Sequence, residues 1–173
     1  MAIAGGVALE RQGGPIECHA FLSQLGDWAR AMEPSVASYV EQLADWIALP
    51  PDEAVTFISH AGKSPGYADG WQGISPFVTG SVLWSLYAFL RTPDDYWETI
   101  CTAIAVGGDV DTTAAMAGAI SGAYLGLEAI PSDLARCLTD QGTWGYAELV
   151  ELADQCYGLK TRGSSITVRG KDA

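Results

Sequence analysis

Basic residues are scarce in this chain. Nine Lys and Arg stand against twenty-one Asp and Glu, for a net charge of −12, and four of the nine (Lys160, Arg162, Arg169 and Lys171) lie in the final stretch. A body of that sign repels phosphate backbones and anionic lipid, which argues against nucleic acid or a membrane surface as its partner. Paired cysteines are missing too. Cys18, Cys101, Cys137 and Cys156 form no CxxC motif, which speaks against a thiolate metal site or a disulfide framework and for free thiols in a reducing compartment. The longest apolar run, Thr112 to Leu127, is dense in Gly and Ala and falls short of the ~20 residues a membrane span needs. The opening Met1-Ala-Ile-Ala-Gly-Gly has neither the basic nor the apolar region of a secretory leader. These absences predict a soluble cytoplasmic protein. Strand-like alternation and internal repeats are also lacking.

What remains is 173 residues with 49% hydrophobic side chains, enough for one all-α domain with its own core. We assign residues 1–159 to that domain and 160–173 to a polar flexible tail. Phe21, Leu25, Trp28 and Met32 recur at helical spacing. Pro34-Ser35 predicts a second helix start with Ser35 as N-cap, and Asp52 caps a short third helix. Gly62 to Gly80 holds five Gly and two Pro around Tyr67, Trp71 and Phe77, which predicts a long ordered loop. These aromatics and Tyr124 are assigned to core packing in preference to stacking on an adenine. Ser75 and Thr79 share that loop without an assigned contact. Helices follow from Ser81 to Arg91 and from Thr92-Pro93-Asp94-Asp95 to about Val106, with Thr92 as the capping hydroxyl.

From Thr112 to about Leu127, Ala114, Gly118, Gly122 and Gly126 are spaced by four, beside a ridge of Ala115, Ala119 and Ala123. Glycine costs a helix about 1 kcal/mol relative to Ala, so the ridge predicts a central, buried helix against which another packs closely. A short helix after Pro131 and a last one from Ala147 to Tyr157, ended by Gly158, complete the reading. Ala2, Ile3, Val7 and Leu9 are expected to form an exposed apolar patch that favours self-association.

The chemistry is concentrated in Gly107-Gly108-Asp109-Val110-Asp111-Thr112-Thr113. Two carboxylates at i and i+2 share one side of an extended segment, and the double Gly permits the unusual backbone that brings them there. Asp109, Asp111 and the Thr112 hydroxyl form an all-oxygen donor set for Mg²⁺ or Mn²⁺. The plainer reading makes Asp111 a helix cap. It leaves Asp109 and the glycines unexplained, and no Lys or Arg between Arg91 and Arg136 neutralises the pair. His19 and His60 lack triad partners, and Ser23 and Ser59 lack a nucleophile elbow.

This motif, followed by Ala114 through Gly126, closely resembles the C-terminal signature of the ADP-ribosylglycohydrolase family, to which the dinitrogenase reductase-activating glycohydrolases belong. The likeness runs upstream to Ser81 and downstream through Pro131. It implies the C-terminal part of an orthogonal multi-helix fold, with a two-metal site of Mg²⁺ or Mn²⁺. The implied reaction removes ADP-ribose from a modified protein or a small-molecule conjugate. Asp109, Asp111 and Thr112 take the family's C-terminal metal-ligand positions, supported by Gly107 and Gly108. The family's second acidic cluster has no counterpart here, so the resemblance implies an N-terminally truncated domain with little turnover alone, completed by a complementary N-terminal half or by self-association. A non-catalytic relative that binds a nucleotide or a protein partner is the alternative. A DxDxT-type phosphatase built on Asp109, Asp111 and Thr113 is a distant third, since it requires a parallel sheet.

Overall fold

The computed structural model describes residues 3, 5–7, 14–67 and 70–164, with side chains through Leu159. The fold is all-α. Among the described residues the only extended pairings are two isolated bridges, Ile74 with Gly108 and Thr139 with Gly145, so the sheet that a DxDxT phosphatase needs is not there. Among those residues no helix is long and apolar enough to cross a membrane.

The chain divides into two compact units, Met1–Ile130 and Pro131–Ala173. The first contains α1 (Cys18–Arg30), α2 (Pro34–Trp46), α3 (Pro51–Ile58), α4 (Val78–Arg91), α5 (Tyr96–Ile104) and α6 (Val110–Leu125), then a 3-10 turn at Leu127–Ala129. The second contains α7 (Ser132–Ala135) and α8 (Tyr146–Ser164). In it, the Gly145 N–H donates to Glu148 Oε2 at 3.0 Å, closing the entry to α8. That helix runs through Gly158, so the glycine does not end it; the tail beyond 164 lies outside the described residues.

The central element is α4, a correction to the reading that places α6 there. Ten of its residues are buried, from Gly80 and Ser81 through Leu90, and it packs against α2, α3, α5 and α6. Its sequence is apolar on every face, as a surrounded helix must be. Two buried hydroxyls are absorbed by nearby carbonyls: Ser81 donates to Ser75 O at 3.0 Å, and Ser85 to Ser81 O at 2.8 Å. The buried Trp84 indole donates to Ala103 O at 2.9 Å, which pins the end of α5. The Tyr87 hydroxyl donates to Leu49 O at 2.8 Å, and Arg91 reaches the same carbonyl at 2.7 Å, tying α4 to the chain just after α2.

Helix α6 is one-sided. Thr113, Ala117, Ile120, Ser121 and Tyr124 are buried, while Ala115 and Ala119 are exposed. Part of the glycine ridge has the expected use: a Cβ on Gly118 would sit 3.1 Å from both Ile100 Cδ1 and the Tyr96 hydroxyl, so the missing side chain admits Tyr96. Gly126 serves differently, as the C-cap with φ 88°.

Three helix starts also differ from expectation. Glu33 is the N-cap of α2 and Pro34 its first residue, with Ser35 inside the helix. Pro50 precedes α3, and Asp52 lies in its first turn. Asp95, not Thr92, caps α5, accepting from Glu98 N–H at 2.9 Å. Asp95 is the residue immediately before the first helical residue, Tyr96, and an acid there suits the positive end of the helix dipole. Val7 is fully buried and Ile3 packs on the core, so these two do not form the exposed patch; Ala2 and Leu9 lie outside the described residues.

The segment before α1 is moored by Tyr124, whose hydroxyl accepts the Ile16 N–H at 3.0 Å. Tyr124→Phe removes that acceptor and is expected to cost about 1 kcal/mol. A thermal melt should fall by about 2–4 °C; an unchanged melt would show that the contact contributes nothing.

Candidate functional site

The site forms where α5 hands over to α6. Gly107 and Gly108 have φ of 74° and 95°, a left-handed pair that reverses the chain. The turn is docked on the glycine-rich loop. Ile74 N–H donates to Gly107 O at 3.2 Å and Asp109 N–H to Ile74 O at 2.7 Å. The approach depends on two glycines. A Cβ on Gly108 would lie 2.6 Å from Ile74 N, and one on Gly73 would lie 2.6 Å from the Gly107 carbonyl carbon.

Asp109 is the N-cap of α6, with φ −81° and ψ 64°, yet its side chain makes no capping bond. It turns instead to Asp111 in the first helical turn, and the two carboxyl groups come within hydrogen-bonding reach. The Asp109 carboxyl, and then the N–H groups of Thr112 and Asp111, hold the Asp111 carboxyl below the usual carboxylate range. Convergence at i and i+2 is possible because the helix begins at Val110, two residues earlier than expected, leaving Asp109 non-helical and Asp111 helical.

Thr113 fixes this corner from below. Its buried hydroxyl lies 3.1 Å from Asp109 O and 3.3 Å from Ala103 O, the carbonyl that also receives the Trp84 indole.

Asp109 is half-buried, while Asp111 and Thr112 are exposed. The structure therefore brings the two carboxylates together at an accessible helix start, with Thr112 next in the chain. Among the described residues no three His, Cys, Asp or Glu side chains gather into a metal-sized group. At this corner the described residues place Asp109, Asp111 and Thr112 within one turn of chain.

Beside the turn lies a groove of about 510 Å³. Its walls include His60, Lys63, Tyr67 and Trp71, together with Gly73 and Val106 at the seat of the Gly107–Gly108 turn. Tyr67 and Trp71 are 57% and 50% exposed, and Phe77 is also exposed, so these three do not pack in the core; Tyr124 does. The loop's interior anchor is the aliphatic Ile74, which leaves the rings outside. Lys63 Nζ donates to the buried Ser75 hydroxyl at 3.0 Å and sits 5.8 Å from the Phe77 ring. His60 is exposed, just past α3, and bonds back to that helix through Thr56 O at 3.0 Å. Of the residues that build the site, Ile74, Gly73 and Lys63 escape the sequence reading, and Thr113 enters it only as the end of the motif and in the phosphatase alternative. Gly73 is the one with a visible signal, since an isolated glycine beside an apolar residue often marks a close backbone approach.

The family profile for ADP-ribosylglycohydrolase matches residues 1–165. ADP-ribosylhydrolase ARH3 of Bos taurus is 37% identical over 95 residues, covering 49% of this chain and 24% of that protein. ADP-ribosylhydrolase ARH3 of Mus musculus is 42% identical over 69 residues, covering 34% and 18%. The Homo sapiens protein of the same name is 37% identical over 95 residues, covering 49% and 24%. These matches span about a quarter or less of the curated relatives' length. No solved structure matches. The chain belongs to the ADP-ribosylglycohydrolase family.

Proposed function

We propose that this chain supplies one side of a divalent-metal site in a hydrolase that releases ADP-ribose from a modified protein or a small-molecule conjugate. The carrying observation is that Asp109, at the N-cap position of α6, makes no capping bond, while its carboxyl interacts with that of Asp111. Two carboxylates held together without a basic neighbour in sequence need a proton or a cation. The donors are all hard oxygens, which fits Mg²⁺ or Mn²⁺ over softer metals. Asp109, Asp111 and Thr112 would hold the ion, and Gly107 and Gly108 would set their geometry. Bound there, the ion would supply Lewis-acid orientation of ribose hydroxyls and activation of water.

Three oxygen ligands leave a six-coordinate ion half-satisfied. In this reading the remaining ligands and the acid that assists water come from a complementary acidic segment. The chain by itself then turns over weakly or not at all. The absence of a larger ligand cluster among the described residues equally favours a second reading, in which a relative of these enzymes binds its ligand without cleaving it.

One assay separates them. Release of ADP-ribose from ADP-ribosylated arginine and serine substrates is measured in Mn²⁺ and in Mg²⁺, with this chain alone and with a complementary N-terminal half added. Activity confined to the mixture is the expected result. If neither preparation hydrolyses any substrate, the binding-only reading stands and the hydrolase is rejected.

A further inference from the structure

Helix α8 carries an apolar stripe that stands in solvent. Leu149, Leu152, Cys156 and Leu159 follow one another at intervals of three, four and three, the spacing that puts side chains on one face of a helix. All four are exposed, Leu159 by 71%. The flank of the stripe is acidic. Glu148, Glu151 and Asp154, three residues apart, form a row along the same helix, and all are exposed. Glu148 accepts the Gly145 N–H, and Glu151 Oε1 accepts the Gln155 side-chain amide at 3.1 Å; neither of those donors is charged. From Pro131 to Leu159 the sequence has five acids and one basic residue, Arg136. A groove of about 490 Å³ runs beside this row, with Glu151, Asp154, Gln155, Gly158 and Leu159 on its walls. Two carboxylates beside a leucine suit a Lys or Arg side chain, whose methylene stem covers apolar surface while its charged head stays in water near the acids.

We propose that this face of α8 docks an amphipathic helix of a partner protein, with apolar side chains on Leu149, Leu152 and Leu159 and flanking Lys or Arg side chains in the groove beside Glu151 and Asp154. Charge complementarity selects this occupant. A second copy of the chain would bring the same acidic flank to the seam, and like charges there oppose pairing. The surface belongs to the second compact unit, so its use does not depend on the metal site or on hydrolysis.

The test titrates the full chain into a fluorescein-labelled helical peptide of about 18 residues, with Leu on one face flanked by Lys, and follows anisotropy. Matched peptides carry Glu for each Lys, or Ser for each Leu. The Leu/Lys peptide is expected to bind at least about tenfold more tightly than either, and rising salt should weaken it. Leu152→Gln, and Glu151→Gln combined with Asp154→Asn, should each weaken it by about tenfold. Asp52→Asn combined with Glu53→Gln removes the same charge from α3 and should leave binding unchanged; circular dichroism checks that each variant folds. No binding of the Leu/Lys peptide, affinity matched by either control peptide, binding that survives either α8 variant, or an equal loss in the α3 variant overturns the proposal. Sedimentation of the chain alone tests the other occupant. A monomer is expected, and a dimer that Leu152→Gln returns to monomer would give the face to a second copy and overturn the proposal.

Discussion

Gly108→Ala is expected to lower the thermal midpoint by roughly 6–12 °C, among the largest effects of any single methyl group in this protein. Two costs combine. Ala at φ 95° occupies a region that L-residues avoid, at about 1–2 kcal/mol. The new Cβ would also stand 2.6 Å from Ile74 N, and because the neighbour is backbone no rotamer can relieve it. Overpacking of that kind adds about 1–3 kcal/mol, and a total of about 3 kcal/mol corresponds to the stated shift for a chain of this size. Gly107→Ala supplies the control. Its φ is 74°, but nothing lies within 4 Å of the added Cβ, so it should carry the backbone cost alone and shift the melt about half as far. Equal melts for the two variants would mean that Ile74 does not dock on the turn as described. Gly73→Ala should resemble Gly108→Ala, since its Cβ meets the other face of the same bridge.

The same bridge explains what the sequence could and could not disclose. Helices were legible because their cause is local: apolar residues at three and four in α1 and α2, and Pro at the first position of α2 and α3. Helix starts were less so. Thr92 and Asp95 both satisfy the capping preference, and only the geometry shows that Asp95 takes the Glu98 N–H. The Gly-Gly-Asp-x-Asp-Thr motif announced a site because its composition is hard to explain otherwise. Its backing was silent, since Ile74 sits thirty-five residues before Asp109 and nothing in an aliphatic residue announces a long-range pairing. The assignment of Tyr67 and Trp71 to the core failed for a related reason. Burial of a ring depends on which residue of its loop anchors the segment, and that residue is Ile74. The central role given to α6 failed because Gly and Ala spacing reports how close a neighbour comes, not how many neighbours there are. Tyr96 fills the groove at Gly118, while Ala115 and Ala119 face outward.

Asp111→Asn and Asp109→Asn are each expected to weaken the response of this chain to Mn²⁺ by more than about tenfold. The substitution keeps the size of the side chain and one carbonyl oxygen but removes the charge that holds a hard cation. With only two carboxylates in the set, losing either one halves the anionic charge facing the ion. Binding measured by calorimetry or Mn²⁺ paramagnetic resonance should weaken by more than about tenfold in each single variant and disappear in the double variant. Thr112→Val, which takes away a neutral donor, should weaken it less. A melt gives an independent reading: an ion that binds the folded chain raises the midpoint by mass action, so added Mn²⁺ should raise the melt of the parent chain and leave that of Asp109→Asn/Asp111→Asn where it was. The converse separates a metal pair from a structural one. If the two carboxylates existed to hold the start of α6, the double variant would melt well below the parent in EDTA, and Asp109 would be expected to bond to the helix backbone, which it does not. Parent-like Mn²⁺ binding in the double variant would place the ion elsewhere and remove the chemical basis of the proposed hydrolysis.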